Sequence, residues 1–402
     1  MLEIDSKILE KVLGRKESFL ASDLLSARPV IQDAIGGCRI LVIGAAGSIG
    51  CSFVKELFSF DMEALHLVDI SENNLAEFVR DLRSAGVSFP EDFQTFSLDF
   101  GGLEMAVLLA SQKYDYVLNF SALKHVRSER DAYTLMRLLD VNVLANERLL
   151  NTLSNSHVPQ KVFSVSSDKA VRPANLMGAS KAFMERVFLS YADEIPFGSA
   201  RFANVAFSDG SLLHSFQQRI GKRQPLSAPS DVKRYFISHQ EAGQLCILGC
   251  FTGYNREIVY PDFRPDEDMM TFSEIAVEFL KMKGLEPLYC ESEEEARTVA
   301  AQLSSESKQW PCLFTGSDTS GEKMYEEFVD PTESISEDRF YHVGVITEPV
   351  FHGSDILKKA IRQLKDLRAA GQWNLDDLIA TVGVAVPELE HAKAAKNLDQ
   401  KM

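Results

Sequence analysis

The fold of this chain is decided by the stretch Arg39-Ile40-Leu41-Val42-Ile43-Gly44-Ala45-Ala46-Gly47-Ser48-Ile49-Gly50. It begins with a short run rich in β-branched residues, which is typical of a buried strand and ends at Gly44. Three glycines spaced three residues apart follow, and residues 48–60 then have the apolar pattern of a helix. The stretch therefore predicts a strand, a tight glycine turn and a helix, in that order.

The spacing of the three glycines predicts a dinucleotide-binding turn of the Rossmann type. Gly44 can form the tight turn, Gly47 lets the backbone approach a pyrophosphate, and Gly50 lets the helix pack closely on the strand. The free N–H groups at the start of the helix, at Ser48 and Ile49, then face the phosphates. The GxxGxxG spacing indicates the short-chain dehydrogenase type of Rossmann domain rather than the GxGxxG type.

An acidic residue downstream identifies the expected cofactor as NAD. Asp69 ends the second predicted strand, 19 residues after Gly50. A carboxylate at this place accepts hydrogen bonds from the adenosine ribose hydroxyls and repels a 2′-phosphate, so NAD is favoured over NADP. Asp99 ends the third predicted strand and is a candidate for the adenine region, although a turn residue there is an equally good interpretation.

Strands and helical patterns continue to alternate as far as residue 205, which predicts an α/β fold with a doubly wound parallel sheet. Residues 206–402 change to turns and short elements and are expected to form a smaller mixed α/β lobe that binds substrate. Residues 291–340 are acidic and polar, and we expect them to be exposed and partly irregular. The predicted divisions are an N-terminal helical extension (1–37), the NAD-binding domain (38–205) and the smaller lobe with C-terminal helices (206–402).

Bulk composition excludes several classes of partner. The chain has 402 residues and a formal net charge of -16, which disfavours nucleic acid and anionic membrane surfaces. It contains no run of 18 apolar residues and begins without the basic and apolar layout of a signal peptide. Its six cysteines include no CxxC pair. We therefore expect a cytoplasmic protein without a metal site or a disulfide framework.

The end of the fifth predicted strand carries the candidate catalytic groups. Ser167, Asp168 and Lys169 offer a hydroxyl, a carboxyl and an amine where ligands bind in open α/β sheets. Met177 and Lys181 lie one helical turn apart further on, at the spacing of the Tyr-x-x-x-Lys motif of short-chain dehydrogenases. A thioether cannot transfer protons, so either another residue is the base or the site is inactive.

Three segments resemble the nucleotide-sugar 4,6-dehydratases of bacterial polysaccharide and protein-glycosylation pathways. The resemblance covers residues 38–245 and is greatest to UDP-N-acetylglucosamine 4,6-dehydratases of the extended short-chain dehydrogenase type, one branch of which has Met in place of Tyr. The segments are Ser121-Ala122-Leu123-Lys124-His125-Val126, Ser166-Ser167-Asp168-Lys169-Ala170-Val171-Arg172-Pro173-Ala174-Asn175-Leu176-Met177-Gly178-Ala179-Ser180-Lys181 and Arg201-Phe202-Ala203-Asn204-Val205.

The resemblance implies a lyase that uses NAD as a recycled hydride store. Hydride leaves sugar C4, water is eliminated across C5–C6, and the hydride returns to C6, which gives UDP-2-acetamido-2,6-dideoxy-4-hexulose. Asp168 is suited to protonate the leaving 6-hydroxyl, and Lys169 to remove the C5 proton if desolvation lowers its pKa. Ser167 relays the proton of the 4-hydroxyl, and Lys181 anchors the nicotinamide ribose.

The resemblance also implies further contacts with the ligands. Ala122 is expected beside the cofactor, and Asn142 is expected to contact the cofactor or brace the catalytic strand. Residues expected on the substrate side are Lys124, His125, Asn204 and Arg234, of which His125 is equally well interpreted as structural. Asn204 and Arg234 match positions that hold the nucleotide diphosphate, which an arginine can grip with two hydrogen bonds.

Three alternatives stay open at this stage. The stretch 259–268 departs from the family pattern, so a GDP-linked sugar is an alternative substrate. A nucleotide-sugar epimerase and an inactive sugar-nucleotide-binding homologue are alternative functions; Asp168-Lys169 argues against the first, and only Met177 supports the second. The sequence leaves open the C5 stereochemistry of the product and the role of residues 291–402.

We expect a homodimer or a larger homo-oligomer that pairs through the helices predicted at 132–154 and 175–192.

Overall fold

A computed structural model describes residues 6–262, 269–316, 326–336 and 338–390. Its largest element is a mixed sheet, which two smaller sheets accompany. In chain order the strands are β1 (Arg39–Ile43), β2 (Ala64–Asp69), β3 (Asp92–Ser97), β4 (Tyr116–Asn119), β5 (Lys161–Ser167), β6 (Phe197–Phe202), β7 (Asn204–Val205), β8 (Leu226–Pro229), β9 (Lys233–Ile237), β10 (Glu257–Pro261), β11 (Met269–Thr271), β12 (Glu286–Tyr289), β13 (Gln309–Thr315), β14 (Ser334–Ser336) and β15 (Val343–Glu348).

Helices cover the large sheet and build part of the smaller lobe. In chain order they are α1 (Ser6–Leu13), α2 (Ala21–Ile35), α3 (Ser48–Leu57), α4 (Glu72–Ser84), α5 (Leu103–Ser111), α6 (Ala132–Leu139), α7 (Ala145–Asn155), α8 (Leu176–Tyr191), α9 (Leu212–Gly221), α10 (His239–Thr252), α11 (Phe272–Met282), α12 (Glu293–Ala300), α13 (Ser354–Ala370) and α14 (Leu375–Ala385). Within the described ranges, no helix is both long and apolar enough to cross a lipid bilayer.

The first six strands form the doubly wound sheet that the sequence predicts. They lie in the order β3-β2-β1-β4-β5-β6, and every neighbouring pair is parallel. The direction of winding reverses between β1 and β4, which creates a crevice at the carboxyl ends of those strands. The Rossmann prediction is confirmed, and the glycine turn lies at this switch point.

Both faces of the sheet are buried, which explains why β1, β2 and β4 are apolar along most of their length. On one face, α2, α3 and α10 pack side chains such as Ile31, Phe53 and Leu245 against the sheet. On the other face, helices α5 to α8, α13 and α14 contribute a second apolar cluster that includes Leu139 and Phe183. Two helical layers therefore fix the strand ends that carry the candidate site.

The chain returns to the large sheet after residue 205. Strand β10 pairs with β6 in parallel, β15 pairs with β10 in antiparallel fashion, and β14 forms the edge beside β15. Residues 206–402, which the sequence analysis assigns to one lobe with C-terminal helices, are therefore divided between the large sheet and the smaller lobe. This division depends on pairing between distant segments, which local sequence patterns do not encode.

The smaller lobe has the mixed α/β character expected. One sheet has the order β11-β9-β7 and the other the order β12-β13-β8, and each contains three strands within the described residues. Helices α9 and α11 pack on them through a core that contains Phe216, Phe279 and Trp310. The N-terminal extension reaches this lobe as well, because Val12 of α1 belongs to the same core. Residues 263–268, most of the departure noted in the sequence, lie outside the described residues.

The prediction that residues 291–340 form exposed, partly irregular surface holds for about half of the described part and is wrong for β13 and for Glu333. Ser292 caps α12, and Trp310 and Cys312 of β13 are buried. Glu333 is buried although its neighbours are polar, because an arginine pairs with it inside the protein. Runs of charge usually mark solvated faces, but here the segment 326–336 packs against the protein through Glu333.

The two long helices predicted at 132–154 and 175–192 are present. The first consists of α6 and α7, joined without a break by a π-helical turn at Asp140–Leu144. The second is α8, whose first turn is capped by the Asn175 side chain, which accepts a hydrogen bond from the Gly178 N–H. A π-helical turn inside a long helix often marks a functional site, and this turn carries Asn142.

The α8 part of the dimer interface expected on these helices is covered by the chain itself. Every residue of α8 from Leu176 to Leu189 is buried, and α13 and α14 both pack against this helix. Arg186 of α8 pairs with Glu388, and Trp373 Nε1 donates a hydrogen bond to the Ala132 carbonyl, 2.9 Å away. A homodimer stays a prediction, but α8 offers no face for it in this structure.

Candidate active site

The three glycines of the turn meet different surroundings. Gly44 has a φ of +72°, and a Cβ there would lie 2.7 Å from the Ser121 backbone nitrogen. A Cβ on Gly50 would lie 2.1 Å from the Gly44 carbonyl oxygen, whereas a Cβ on Gly47 would meet nothing nearer than that oxygen at 3.4 Å. Gly44 and Gly50 are therefore required by packing, while Gly47 faces open space where a ligand can approach.

The carboxylate of Asp69 ties the glycine turn to the end of β2. Its Oδ2 accepts a hydrogen bond from Ala46 N at 2.9 Å, and its Oδ1 accepts one from Ser71 N at 2.9 Å. A carboxylate has about four acceptor positions, so two positions remain for the hydroxyls of a ribose.

Ser48 at the start of α3 is buried, and its Oγ accepts a hydrogen bond from Asp209 N at 3.1 Å. Ile49 beside it is partly buried.

Asp99 forms a turn at the end of β3. Its Oδ1 accepts a hydrogen bond from Gly101 N at 2.9 Å, and its side chain is exposed. The preceding residue, Leu98, donates its N–H to the Asp69 carbonyl at 3.1 Å. Asp99 therefore lies next to the candidate ribose site, and its role toward adenine stays a prediction.

Asn142 braces the loop that follows β4. Its Oδ1 accepts a hydrogen bond from Leu123 N, and its Nδ2 donates to Leu123 O and to Ser180 Oγ, all at 2.9 Å. Because Ser180 belongs to α8, Asn142 connects the loop that contains Ala122 with the helix that carries Lys181. The side chain is fully buried and braces this loop, and its expected contact with the cofactor stays a prediction.

Ser167, Asp168 and Lys169 form one hydrogen-bonded group where β5 ends. Ser167 Oγ donates to Asp168 Oδ1 at 2.6 Å, and Lys169 Nζ lies 3.1 Å and 3.2 Å from the two Asp168 oxygens. A 3₁₀ turn at Asp168–Ala170 holds them, and Ser167 Oγ caps it by accepting the Lys169 N–H. Asp168 is buried, while a third of the Lys169 side chain is exposed.

The lowered pKa that the sequence analysis requires of Lys169 is not found. Burial acts to lower the pKa of this amine, but the negative charges of Asp168 and Glu326 outweigh burial and hold it above its ordinary value. Arg234, which also faces the amine, acts in the lowering direction. These charges therefore favour the ammonium form of Lys169, which pairs with Asp168.

Met177 and Lys181 are both buried on α8. Lys181 Nζ donates to the Val165 carbonyl at 3.1 Å, and burial lowers its pKa to about 8. The Met177 N–H donates to Glu129 Oε1 at 2.8 Å.

Ser166 Oγ, on the same strand as Val165, is buried and finds no hydrogen-bond partner among the described residues. A buried unsatisfied hydroxyl beside these groups fits a site that a polar ligand completes.

Lys124 and His125 extend from the loop after β4 and are exposed. The imidazole of His125 packs against Gly210, where a Cβ would lie 2.7 Å from His125 Cε1. Gly210 has a φ of +73°, so its lack of a side chain both permits this turn and makes room for the ring. The structure therefore gives His125 a packing contact and leaves its expected role toward substrate untested.

Asn204 and the backbone of Tyr235 both bind the carboxyl group of Glu326, which no sequence motif predicted. Asn204 Nδ2 donates to Glu326 Oε1, and Tyr235 N donates to Glu326 Oε2 at 2.7 Å. Arg234 is buried one residue before Tyr235. Glu326 lies in an acidic stretch 122 residues after Asn204, so no local motif could have indicated its place.

A buried ion-pair network supports this part of the site. The Arg201 guanidinium contacts both Glu185 oxygens at 3.0 and 2.8 Å and both Glu333 oxygens at 2.8 and 2.7 Å. Arg201 Nη1 also donates to the Phe328 carbonyl at 2.8 Å. The network joins β6, α8 and the segment 326–336, which we call the returning segment. The sequence gives no signal for it beyond isolated charged residues.

Comparison with known proteins identifies a family. The family model described as polysaccharide biosynthesis protein matches residues 40–348, which is more than half of the chain. The match includes the glycine turn, the Ser167-Asp168-Lys169 group and the returning segment. It ends at the last residue of β15.

Two curated relatives indicate the range of similarity. The probable polysaccharide biosynthesis protein EpsC of Bacillus subtilis is 26% identical over 347 residues, covering 83% of this chain and 53% of the relative. A UDP-N-acetylglucosamine 4,6-dehydratase (inverting) of Campylobacter jejuni is 24% identical over 230 residues, covering 56% of this chain and 66% of the relative. This chain spans between 39% and 65% of the length of three curated relatives that it matches, of which EpsC is one.

Two solved structures share the fold. Pen from Bacillus thuringiensis superimposes with a TM-score of 0.63 at 20% identity, covering 78% of this chain and 88% of Pen. WbmF of Bordetella bronchiseptica, solved with NAD+, gives a TM-score of 0.50 at 18% identity, covering 68% of this chain and 91% of WbmF.

Proposed function

We propose, from the premise that this chain belongs to the polysaccharide biosynthesis protein family of extended short-chain dehydrogenases, that it is a UDP-N-acetylglucosamine 4,6-dehydratase. The observation that carries the proposal is the hydrogen-bonded Ser167-Asp168-Lys169 group at the end of β5. A plain C4 epimerase has no need of an acid at the 6-hydroxyl, whereas a dehydratase must expel that hydroxyl as water.

NAD fits the residues at the switch point. Gly47 leaves open space for a pyrophosphate, Asp69 has acceptor capacity for ribose hydroxyls, and Lys181 supplies a buried amine for the nicotinamide ribose. The unsatisfied Ser166 hydroxyl is a further polar group for the cofactor. When bound, NAD supplies an acceptor for the hydrogen of sugar C4 that can give it back at C6.

Ser167, Asp168 and Lys169 can together carry out every proton transfer that the dehydratase reaction needs. The 4-hydroxyl proton passes to Ser167 Oγ as the hydroxyl of Ser167 gives its own proton to Asp168, 2.6 Å away. Asp168 then donates that proton to the 6-hydroxyl, which leaves as water. Lys169, in its amine form, takes the C5 proton and returns it to C5 once C6 is reduced. Every proton lost by the sugar is thereby accounted for, and Met177 takes part in none of these transfers.

The raised pKa of Lys169 sets the expected pH dependence. Only the amine form can accept the C5 proton, and the charges of Asp168 and Glu326 favour the ammonium form. The rate should therefore increase with pH as Lys169 loses its proton. At lower pH, protonation of Lys169 removes the base, but the residues expected to hold the cofactor stay in place.

The experiment that tests the proposed function compares sugar nucleotides. Purified protein with NAD is incubated with UDP-N-acetylglucosamine and, separately, with GDP-N-acetylglucosamine, and the products are followed by NMR. We expect a 4-keto-6-deoxy product, with its new methyl signal, from the UDP sugar. A 4-epimer without loss of water would establish an epimerase instead, conversion of the GDP sugar alone would change the substrate, and no conversion of either would contradict the proposal.

A further inference from the structure

We propose that Arg15 is a positioning residue, which holds the junction between the smaller lobe and the large sheet and so keeps the substrate side of the cleft aligned with the cofactor side. The junction is the turn at Ser238, which joins β9 of the smaller lobe to α10, the helix that packs on the large sheet. Which side of the cleft takes the substrate rests on the proposed function, whereas the contacts of Arg15 do not.

The N-terminal extension packs into both lobes. Val12 of α1 belongs to the apolar core of the smaller lobe, and α1 lies against α11. Leu20 and Ile31 belong to the apolar cluster on one face of the large sheet, where α2 lies against α10. Residues 13–19 therefore cross from one lobe to the other, and Arg15 belongs to this crossing.

The guanidinium group of Arg15 binds both sides of the junction. Its Nε and Nη2 donate to the two carboxylate oxygens of Glu241 on α10, at 2.7 Å and 2.8 Å. Nη2 also donates to the Phe236 carbonyl of β9, 3.1 Å away. A bidentate pair between arginine and a carboxylate is both stronger and more directional than a neutral hydrogen bond. Arg15 therefore fixes the end of the strand relative to the start of the helix.

Glu241 belongs to the junction itself and is buried. Its Oε2 accepts a hydrogen bond from the Ser238 N–H at 2.7 Å, and the Glu241 N–H donates to Ser238 Oγ at 3.0 Å, which together form the capping box of α10. Loss of Arg15 would leave this carboxylate buried without its cation. A buried charge that loses its partner is strongly unfavourable, so the junction would open to let water reach Glu241.

Helix α10 is fixed against the helix of the glycine turn. A Cβ on Gly243 would lie 2.8 Å from the carbonyl carbon and oxygen of Ser52 on α3, so the two backbones approach closely at this point. Glu241 lies two residues before Gly243. The carboxylate that Arg15 binds therefore keeps a constant position relative to the expected cofactor site.

Strand β9 extends from the other end of the contact to the substrate side. Phe236, whose carbonyl binds Arg15, pairs in register with Asn204 of β7. Arg234 lies two residues before Phe236 on the same strand. Asn204 and Arg234 are the two residues expected to hold the nucleotide diphosphate. A shift of Phe236 away from α10 would therefore move both of them relative to the cofactor.

Hydrogen exchange of the full-length protein without ligands, followed by mass spectrometry, tests whether Arg15 holds the junction. In Arg15→Ala, peptides that contain residues 233–242 should exchange about tenfold faster than in the wild type, the factor that one lost hydrogen bond to a charged group represents. Peptides that contain residues 39–50 should keep the wild-type rate, because the glycine turn does not depend on this contact.

Arg28→Ala is the matched control. Arg28 of α2 lies over the Phe60 ring and donates to the Ser59 carbonyl at 2.8 Å. Arg15 likewise lies over a ring, that of Phe19, and donates to a carbonyl. These contacts of Arg28 stay on the side of the large sheet, so its loss should leave hydrogen exchange at the junction unchanged.

Binding of UDP tests the positioning role, because UDP carries the expected diphosphate but cannot be turned over. Calorimetry should show that Arg15→Ala binds UDP about tenfold more weakly than the wild type and binds NAD with unchanged affinity. Arg15→Lys keeps a positive charge opposite Glu241 but lacks the planar fork of arginine. Its affinity for UDP should therefore lie between those of the wild type and Arg15→Ala.

Three results would overturn the proposal: an unchanged exchange rate at residues 233–242 in Arg15→Ala, an unchanged affinity of this variant for UDP, or equal losses of UDP and NAD affinity. A wild-type protein that binds no UDP would instead count against the proposed function. Hydrogen exchange, which uses no nucleotide, would then decide by itself whether Arg15 holds the junction.

Discussion

Replacing Lys169 with alanine should abolish formation of the 4-keto sugar while leaving NAD binding intact. Lys169 is the candidate base for the C5 proton, and general base catalysis of this kind contributes roughly 10²–10⁴-fold to a rate. Within the described residues, Lys169 forms hydrogen bonds with Asp168 and with Ser167 Oγ and none with the glycine turn. The measurement is product formation by NMR together with NAD affinity by calorimetry.

Lys169→Arg is the control for charge. Arginine keeps the positive charge beside Asp168 but does not lose its proton at accessible pH. We expect this variant to be as inactive as Lys169→Ala, because the amine form is what removes the C5 proton. Substantial turnover by the arginine variant would show that Lys169 acts through its charge and would contradict its role as a base.

Gly50→Ala should remove NAD binding and destabilise the protein. The added Cβ would lie 2.1 Å from the Gly44 carbonyl oxygen and 2.9 Å from the Ala45 Cα, both backbone atoms that move only if α3 separates from β1. Overpacking of this kind costs about 1–3 kcal/mol of folding free energy. The displacement also shifts the helix N-terminus from the expected pyrophosphate, so we expect the affinity for NAD to fall roughly tenfold to a hundredfold, the change that about 1.4–2.8 kcal/mol of lost binding free energy represents.

Gly221→Ala is the matched control for this substitution. Gly221 ends α9, and a Cβ there meets no atom within 4 Å. It should leave both the melting temperature and the NAD affinity close to those of the wild type. Equal NAD affinity in Gly50→Ala and the wild type would show that the close approach of α3 to β1 is unnecessary for the cofactor site.

Local sequence patterns predict the first half of the fold well. Strands β1, β2 and β4 are short apolar runs, and a helical pattern follows each of the first five strands, so parallel order follows from that alternation. The glycine turn is equally local, because Gly44, Gly47 and Gly50 lie within seven residues. The alternation of strands and helices and the glycine turn can both be predicted without information on contacts between distant segments.

The rest of the fold and site depends on contacts between distant segments. Strands β10 and β15 join the large sheet only because they pair with β6 and with each other. Glu326 and Glu333 belong to an acidic stretch that composition alone assigns to solvent, and each is drawn inward by partners more than 90 residues away. For the same reason the pKa of Lys169, which Glu326 raises, could not be predicted from its own neighbours.

The central claim of the proposed function is that the hydrogen removed from sugar C4 is returned to C6 during loss of water, which is the chemistry that a bound NAD would supply. The most direct measurement supplies UDP-N-acetylglucosamine with deuterium at C4 and locates the label in the product by NMR and mass spectrometry. The proposed function predicts a 4-keto sugar whose C6 methyl group carries the deuterium, with an intact NAD pool. Deuterium retained at C4, in a sugar that keeps its 6-hydroxyl, would contradict the account.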